Sequence, residues 1–296
     1  MVRRTPVVFI HGLWLHASCW DAWMRRFLVE GFAPVAPGWP GEPDTVAEAR
    51  RQGTSGDVPG LDDVVKHYAT VVRSLDTSPV LIGHSLGGLI VQRLLGMGLG
   101  RSGVAMASAP IKGVELPSPY ADFCARFPAL AHPENIARSP ELTAGQFRYA
   151  FANAVTEEES TVLFERYAIP SPGRTLFEAA FTGNTRNSRS SVDTGNSARG
   201  PLLLVSGQED RLAPDAITRA AHRLYSDSTA VTHLKRFAGH GHSMIIDSGW
   251  QVIADYILNW LDHVGTRAES QAIGTRSVAT QVPWQRPATH IGQTTS

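Results

Sequence analysis

Ser85 stands in the run Gly83-His84-Ser85-Leu86-Gly87-Gly88, between an apolar stretch and a helical pattern. A hydroxyl in that place suits covalent catalysis. A tight strand-to-helix turn lifts it above the sheet, beside the unpaired amides of the first helical turn. Such a turn needs neighbours without bulk, and Gly83 and Gly87 let the backbone pass closely while Ser85 takes a strained conformation. Gly-x-Ser-x-Gly alone occurs often by chance, so its placement counts for more than the five letters. The plain alternative is a glycine-rich helix start with Ser85 as its cap. A phosphate-binding loop would want Gly-x-x-x-x-Gly-Lys-Ser/Thr, and the turn holds no Lys.

A serine hydroxyl is a poor nucleophile until a base takes its proton, and imidazole is poised for that near neutral pH. Two histidines compete for the role in Phe237-Ala238-Gly239-His240-Gly241-His242-Ser243. A carboxylate should orient the base and stabilise its imidazolium, and Glu209 and Asp210 sit together after the apolar run Leu202 to Ser206. Adjacent residues point in different directions, so one should serve while the other faces solvent. Metal chemistry has little support, because neither a His-Glu-x-x-His helix nor a cysteine pair is present. A nicotinamide or flavin site would want Gly-x-Gly-x-x-Gly after the first strand, which ends instead in His11-Gly12-Leu13-Trp14. No metal and no cofactor is expected.

The elements that must hold these groups are legible in the apolar periodicity. Pro6 to Ile10, Ala33 to Ala36, Pro79 to Ile82, Val104 to Ala109, Leu202 to Ser206 and His233 to Phe237 read as strands. Helical patterns lie between them: one capped by Ser18 with Asp21, one from Leu61 to Leu75, one from Leu86, one from Asp215 to Leu224 and one carrying Trp250 to Leu261. Glu42 to Pro59 is polar and aperiodic and reads as a surface excursion. From Ile111 to Ala198 the strand rhythm stops, and aromatic-rich helical fragments replace it, one opening on a Thr156 and Glu159 capping box. Strands alternating with helices on either side of a helical insert predict a mostly parallel sheet covered on both faces. The divisions are a core of residues 1–110 and 199–264, a helical cap of 111–198, and a loosely attached tail of 265–296 in which Trp284 is the one docking candidate.

The chain of 296 residues is long enough for one packed domain with an elaborated insertion. With 27 basic against 27 acidic residues there is no footprint for nucleic acid or an anionic membrane. No stretch approaches the ~20 apolar residues of a membrane span, and the first ten residues are too short a run for a secretory signal. A cytoplasmic location and a neutral or apolar small-molecule substrate are expected; oligomeric state stays open. Cys19 and Cys124 read as reduced, buried thiols.

The end of the first strand at His11-Gly12, the Gly83 to Gly88 turn and the late Gly241-His242 together resemble the α/β-hydrolase superfamily, and within it esterases and lipases with a helical cap. The resemblance covers about Pro6 to Val264 and is weakest through the cap; Trp39 stands where relatives more often have Asp-Leu or Asp-Phe. It implies a triad of Ser85, Asp210 and His242, with His240 at the rim, Glu209 facing solvent and Asp247 starting the last helix. It implies an oxyanion hole of the Leu13 and Leu86 backbone N–H groups, with Trp14 as pocket wall or alternative amide, and Gly83, His84, Gly87 and Gly88 forming the nucleophile elbow. Trp14, Phe123, Phe147, Phe164, Tyr167 and Phe177 are pocket candidates, with Arg166 and Arg174 at the rim. A serine at position 85 argues against epoxide hydrolases and haloalkane dehalogenases, which use a carboxylate. The expected activity is hydrolysis of a small to medium apolar ester, lactone or thioester. Acyl transfer, amide or carbon–carbon bond hydrolysis, perhydrolysis and a non-catalytic ligand-binding role stand as alternatives.

Overall fold

The computed structural model describes residues 4–52, 58–114, 132–180 and 188–266. Six parallel strands form one sheet: β1 (Pro6–Ile10), β2 (Ala33–Val35), β3 (Val80–His84), β4 (Ser102–Met106), β5 (Leu202–Gly207) and β6 (Thr232–Phe237), in the order β2-β1-β3-β4-β5-β6. Continuous apolar or small runs such as VVFI and LLLVSG make the four inner strands, which are buried on both faces. The edge strand β6, THLKRF, is half-exposed and mixes polar with apolar residues. The chain first steps from β1 to β2, then returns to lay β3 on the other side of β1, with Ile10 in register with Gly83. That reversal opens a crevice at the carboxyl ends of β1 and β3, the place where parallel sheets of this kind hold ligands. His11-Gly12 and Ser85 emerge there.

Nine helices accompany the sheet among the described residues: α1 (Asp21–Val29), α2 (Val46–Gln52), α3 (Leu61–Arg73), α4 (Leu86–Gly96), α5 (Ala144–Ala150), α6 (Glu157–Tyr167), α7 (Gly173–Ala180), α8 (Asp215–Arg223) and α9 (Trp250–His263). The spacing of Leu61, Val64, Val65, Tyr68 and Val72 turns one stripe of α3 inward. Helices α5 to α7 lie in the crossover from β4 to β5, the expected helical insertion.

Several local expectations are corrected. Ser18 does not cap α1. His16 caps a short 3-10 turn, Ala17–Trp20, by accepting from the Ser18 amide, and α1 continues from it at Asp21. The polar stretch after Glu42 contains α2, with Ala49 buried. Strand β4 begins at Ser102 and ends at Met106, three residues before the expected Ala109. Only half of the capping box at α6 forms: Thr156 accepts from the Glu159 amide, while the Glu159 carboxylate reaches the Ser248 amide at 2.6 Å. Cys19 is a buried free thiol; Cys124 lies outside the described residues. No helix among the described residues is long and apolar enough to cross a membrane. The tail beyond Thr266, including Trp284, lies outside the described residues.

Candidate active site

Ser85 joins the last residue of β3 to the first of α4 with φ 56° and ψ −121°, a conformation that costs a side-chain-bearing residue energy. Its backbone is pinned on both sides. The Ser85 amide donates to Met106 O at 2.9 Å, and its carbonyl accepts from Gly88 N at 2.9 Å and Ala109 N at 3.0 Å. Gly87 is obligatory for a steric reason: a Cβ there would stand 2.1 Å from the Ile10 carbonyl oxygen, so the first turn of α4 rests directly on β1. Gly12 makes the matching approach, since its Cβ would stand 2.6 Å from Ser85 Cβ and 3.2 Å from Leu86 N. The turn after β1 is thereby pressed against the turn after β3. The Leu13 and Leu86 amides have no protein acceptor among the described residues. The Trp14 amide, by contrast, donates to Ser171 Oγ, which takes it out of contention as the second free donor.

His242 follows β6 and is completely buried, with Nδ1 2.8 Å from Asp210 Oδ2. The other oxygen of Asp210 accepts from Leu212 N at 2.8 Å and Ala213 N at 2.7 Å, so the turn after β5 fixes the carboxylate. A carboxylate held by two amides stays an acceptor, which places a proton on His242 Nδ1 and leaves Nε2 as the basic nitrogen. Nε2 has no hydrogen-bond partner among the described residues. His84, immediately before Ser85, brings the two halves of the site together: its Nε2 is 2.8 Å from the His242 carbonyl oxygen, and the two rings lie 4.5 Å apart. Burial pushes the His84 pKa well down, so this ring is a neutral donor. Glu209 is exposed, and His240 is partly exposed beside Phe237 and Gly249, away from the Asp210 contact. Asp247 accepts from Ser243 Oγ at 2.8 Å and Gly249 N at 3.0 Å just ahead of α9; burial raises its pKa.

An aromatic layer from the insert lies over this pair. Phe151 sets its edge against the His242 ring at 4.7 Å, Phe147 stacks on Phe151 at 5.1 Å, and Phe164 meets Phe147 at 5.6 Å. Trp14 reaches the same layer, 6.3 Å from Phe151, and its indole N–H donates to Pro140 O at 3.3 Å. Sequence reasoning passed over Phe151, the ring that touches His242; its i,i+4 spacing from Phe147 was the available signal. Tyr167 is buried where α6 ends, its carbonyl accepting from the His16 amide. Phe177 packs at the edge of the core, and Phe123 lies outside the described residues. Arg174 is committed to Glu178 and Asp63, and Arg166 lies over Tyr167.

A second buried polar group was not foreseen. His11 Nε2 lies 3.1 Å from Glu42 Oε2, both nearly inaccessible, and His11 stacks on Trp39 at 5.3 Å. They border a cleft of about 30 Å³, walled also by Ile169 to Pro172. Glu42 looked like surface because its neighbours are polar; only the stiff Pro40-Gly41-Glu42-Pro43 frame hinted at a fixed position. Among the described residues no three His, Cys, Asp or Glu side chains group as metal ligands.

With the parallel sheet, the helical insertion and the strand-ending turns in view, one comparison is decisive: residues 7–256 match the α/β hydrolase family. The chain belongs to the α/β-hydrolase family. No curated protein matches it by sequence. Solved structures of similar fold include a monoacylglycerol lipase from Paleococcus ferrophilus (TM-score 0.62, 21% identity, 88% of this chain and 94% of that one). A pyrethroid hydrolase from Sphingobium faniae JZ-2 is similar at TM-score 0.59 and 16% identity over 88% and 98% of the two chains. An extracellular α/β-hydrolase from a Paenibacillus species gives 0.63 and 17% over 86% and 98%. At such identities these α/β-hydrolases share the fold with this one, and the chemistry must be argued from its own residues.

Proposed function

We propose that this α/β-hydrolase is a serine hydrolase that cleaves small to medium, mainly apolar carboxylic esters, lactones or thioesters through an acyl-enzyme on Ser85. The observation that carries the reading is the buried His242–Asp210 pair, 2.8 Å apart, with His242 Nε2 unpartnered among the described residues and the ring packed on the residue that precedes Ser85. His242 Nε2 takes the Ser85 proton as Oγ attacks the carbonyl carbon. The tetrahedral oxyanion draws on the Leu13 and Leu86 amides, and His242 then returns the proton to the leaving group. Water, deprotonated by the same nitrogen, attacks the acyl-enzyme; the bond to Ser85 Oγ breaks, His242 returns the proton to Oγ, and the acid is freed. The apolar preference rests on Trp14, Phe147, Phe151 and Phe164 above His242. In this reading residues 111–198 act as the cap over a core of residues 1–110 and 199–264.

The test is Ser85→Ala with short-chain aryl esters. Turnover should fall by at least about 10³-fold while the melting temperature stays within a few degrees. A fluorophosphonate should label the wild-type protein at Ser85 with one-to-one stoichiometry and fail to label the variant. Near-normal turnover in the variant overturns the assignment.

A further inference from the structure

Helix α5 ends at Ala150, and the residues after it, Phe151 to Asn153, bond to both of the turns that carry the His242–Asp210 pair. Phe151 O accepts from Ser243 N at 2.8 Å, one residue beyond the base. Asn153 Nδ2 donates to Glu209 O at 2.7 Å. That carbonyl belongs to the peptide unit whose N–H is that of Asp210. The stretch is itself held in shape, because Ala152 N donates to Phe147 O at 3.1 Å and Arg148 donates to Ala152 O.

Three segments meet at the Glu209 backbone. Its N–H donates to His240 O at 3.0 Å, which joins the turn after β5 to the turn after β6. Its carbonyl is taken by Asn153, which joins both turns to the insert. Two glycines allow the approach. A Cβ on Gly207 would stand 2.3 Å from His240 O, and one on Gly241 would stand 3.1 Å from Asn153 Oδ1 and 3.4 Å from Phe151 O. Asn153 Oδ1 is buried with no partner among the described residues. An unpaired buried acceptor is a cost, which the bond made by Nδ2 must outweigh. The Asp210 carboxylate is steadied by Leu212 N and Ala213 N, but these amides lie in the same turn and move with it. Asn153 grips that turn from outside, at the peptide bond before the acid, while Phe151 sets its ring edge against His242 at 4.7 Å. Acid and base are thereby aligned to one short stretch of the insert.

We propose that Asn153 is a positioning residue: by donating to Glu209 O it sets the Asp210 carboxylate against the His242 ring that Phe151 holds. The insert then aligns the acid–base pair as well as covering it. The catalytic consequence rests on the hydrolase reading, whereas the coupling rests on the hydrogen bonds alone. Two variants of the full chain test both. Asn153→Asp keeps the side-chain shape and, once ionised, has no proton to donate; Asn153→Ala removes the group. Each should lower kcat for an aryl acetate about tenfold with KM changed less than threefold, a smaller loss than the ~10²-fold of a 1 Å misplacement. In nitrogen-15 NMR, the His242 Nδ1 signal should shift in both variants, although Asn153 does not bond to that ring. A side chain that only fills space would leave this signal unmoved in the Asn153→Asp protein.

Unchanged kcat in either folded variant overturns the proposal, and so does a lowered kcat with the His242 Nδ1 signal in its wild-type place. If neither variant folds, the wild-type protein decides. Its Asn153 side-chain amide protons should exchange slowly with solvent, and exchange at the rate of a free amide overturns the proposal. A wild-type protein that neither hydrolyses esters nor takes the fluorophosphonate at Ser85, while its Nδ1 signal still responds to the variants, overturns the hydrolase reading and leaves the coupling standing.

Discussion

Both oxygens of Asp210 are occupied, one by His242 Nδ1 and the other by two backbone amides, whereas the Glu209 side chain points to solvent. The two neighbours must therefore respond differently to loss of charge. Asp210→Asn presents an amide N–H or a weaker acceptor to Nδ1, favours the wrong tautomer, and should lower kcat on the order of 10³–10⁴-fold. Glu209→Gln should change it less than twofold. Steady-state ester hydrolysis measures both, and equal losses would contradict the assignment of the acid. This contrast was half legible beforehand. The pair Glu209-Asp210 after a buried strand announced a carboxylate, and the family pattern chose Asp210, but which oxygen met which donor depended on the turn. The base was similar, since His240 and His242 share the same Gly-His signature and only the path of the chain after β6 buries the second. His11 with Glu42 could not be read at all, because a buried pair joining residues far apart leaves no periodicity behind.

At the scale of elements, the strand-ending turns depend on backbone contacts that leave no room for a methyl group. Gly87→Ala would drive a Cβ to 2.1 Å from Ile10 O, a backbone atom that cannot swing aside. The variant should lose at least ~3 kcal/mol of stability or fail to fold, consistent with severe overpacking. Gly145→Ala, in the exposed first turn of α5 with nothing near its Cβ, should be neutral or stabilise by up to about 1 kcal/mol. Urea unfolding of the two variants checks the contrast, and a Gly87→Ala protein of wild-type stability would refute the packing argument. The inner strands were legible because continuous apolar runs buried on both faces have few other homes. Helix α2 was not, being seven residues long with Ala49 alone buried. What holds it is tertiary: Arg50 donates to the carbonyls of Phe164, Glu165 and Ala168 at the end of α6, where a cation is favoured. The Ser18 expectation failed for a related reason: the Ser18 hydroxyl pairs with His16 Nδ1 at 2.9 Å, and Ser18 lies inside the 3-10 turn that precedes α1.

Over the whole molecule, the buried ionisable groups set how stability answers pH. His84 and His233 have pKa values lowered by burial, so unfolding lets them take up protons below the ordinary histidine range. Their contribution is present above the unfolded histidine pKa and is lost as pH falls through it. Glu42, Asp62 and Asp215 are also lowered, burial being outweighed by His11, Arg93 and the Ser206, Arg236 and Arg219 contacts respectively. Their stabilisation is present above the unfolded carboxylate pKa and drains away as pH drops through the folded values. Asp247, raised by burial, works in the opposite sense and offsets part of it. Urea midpoints should therefore fall from pH 7.5 to 5.5 and fall further toward pH 4. A midpoint that rises on acidification would contradict these burial arguments. Connectivity across the molecule has its own consequence. The amide of Trp14, one residue past the turn that abuts Ser85, is spoken for by Ser171, and its indole by Pro140, both contributed by the inserted segment. Trp14 is thus one of several stitches between roof and floor, beside the Tyr167 carbonyl on the His16 amide and the Phe151 carbonyl on the Ser243 amide. Transplanting a foreign roof onto this sheet would cut those stitches, and a chimera made to alter selectivity would forfeit speed along with it.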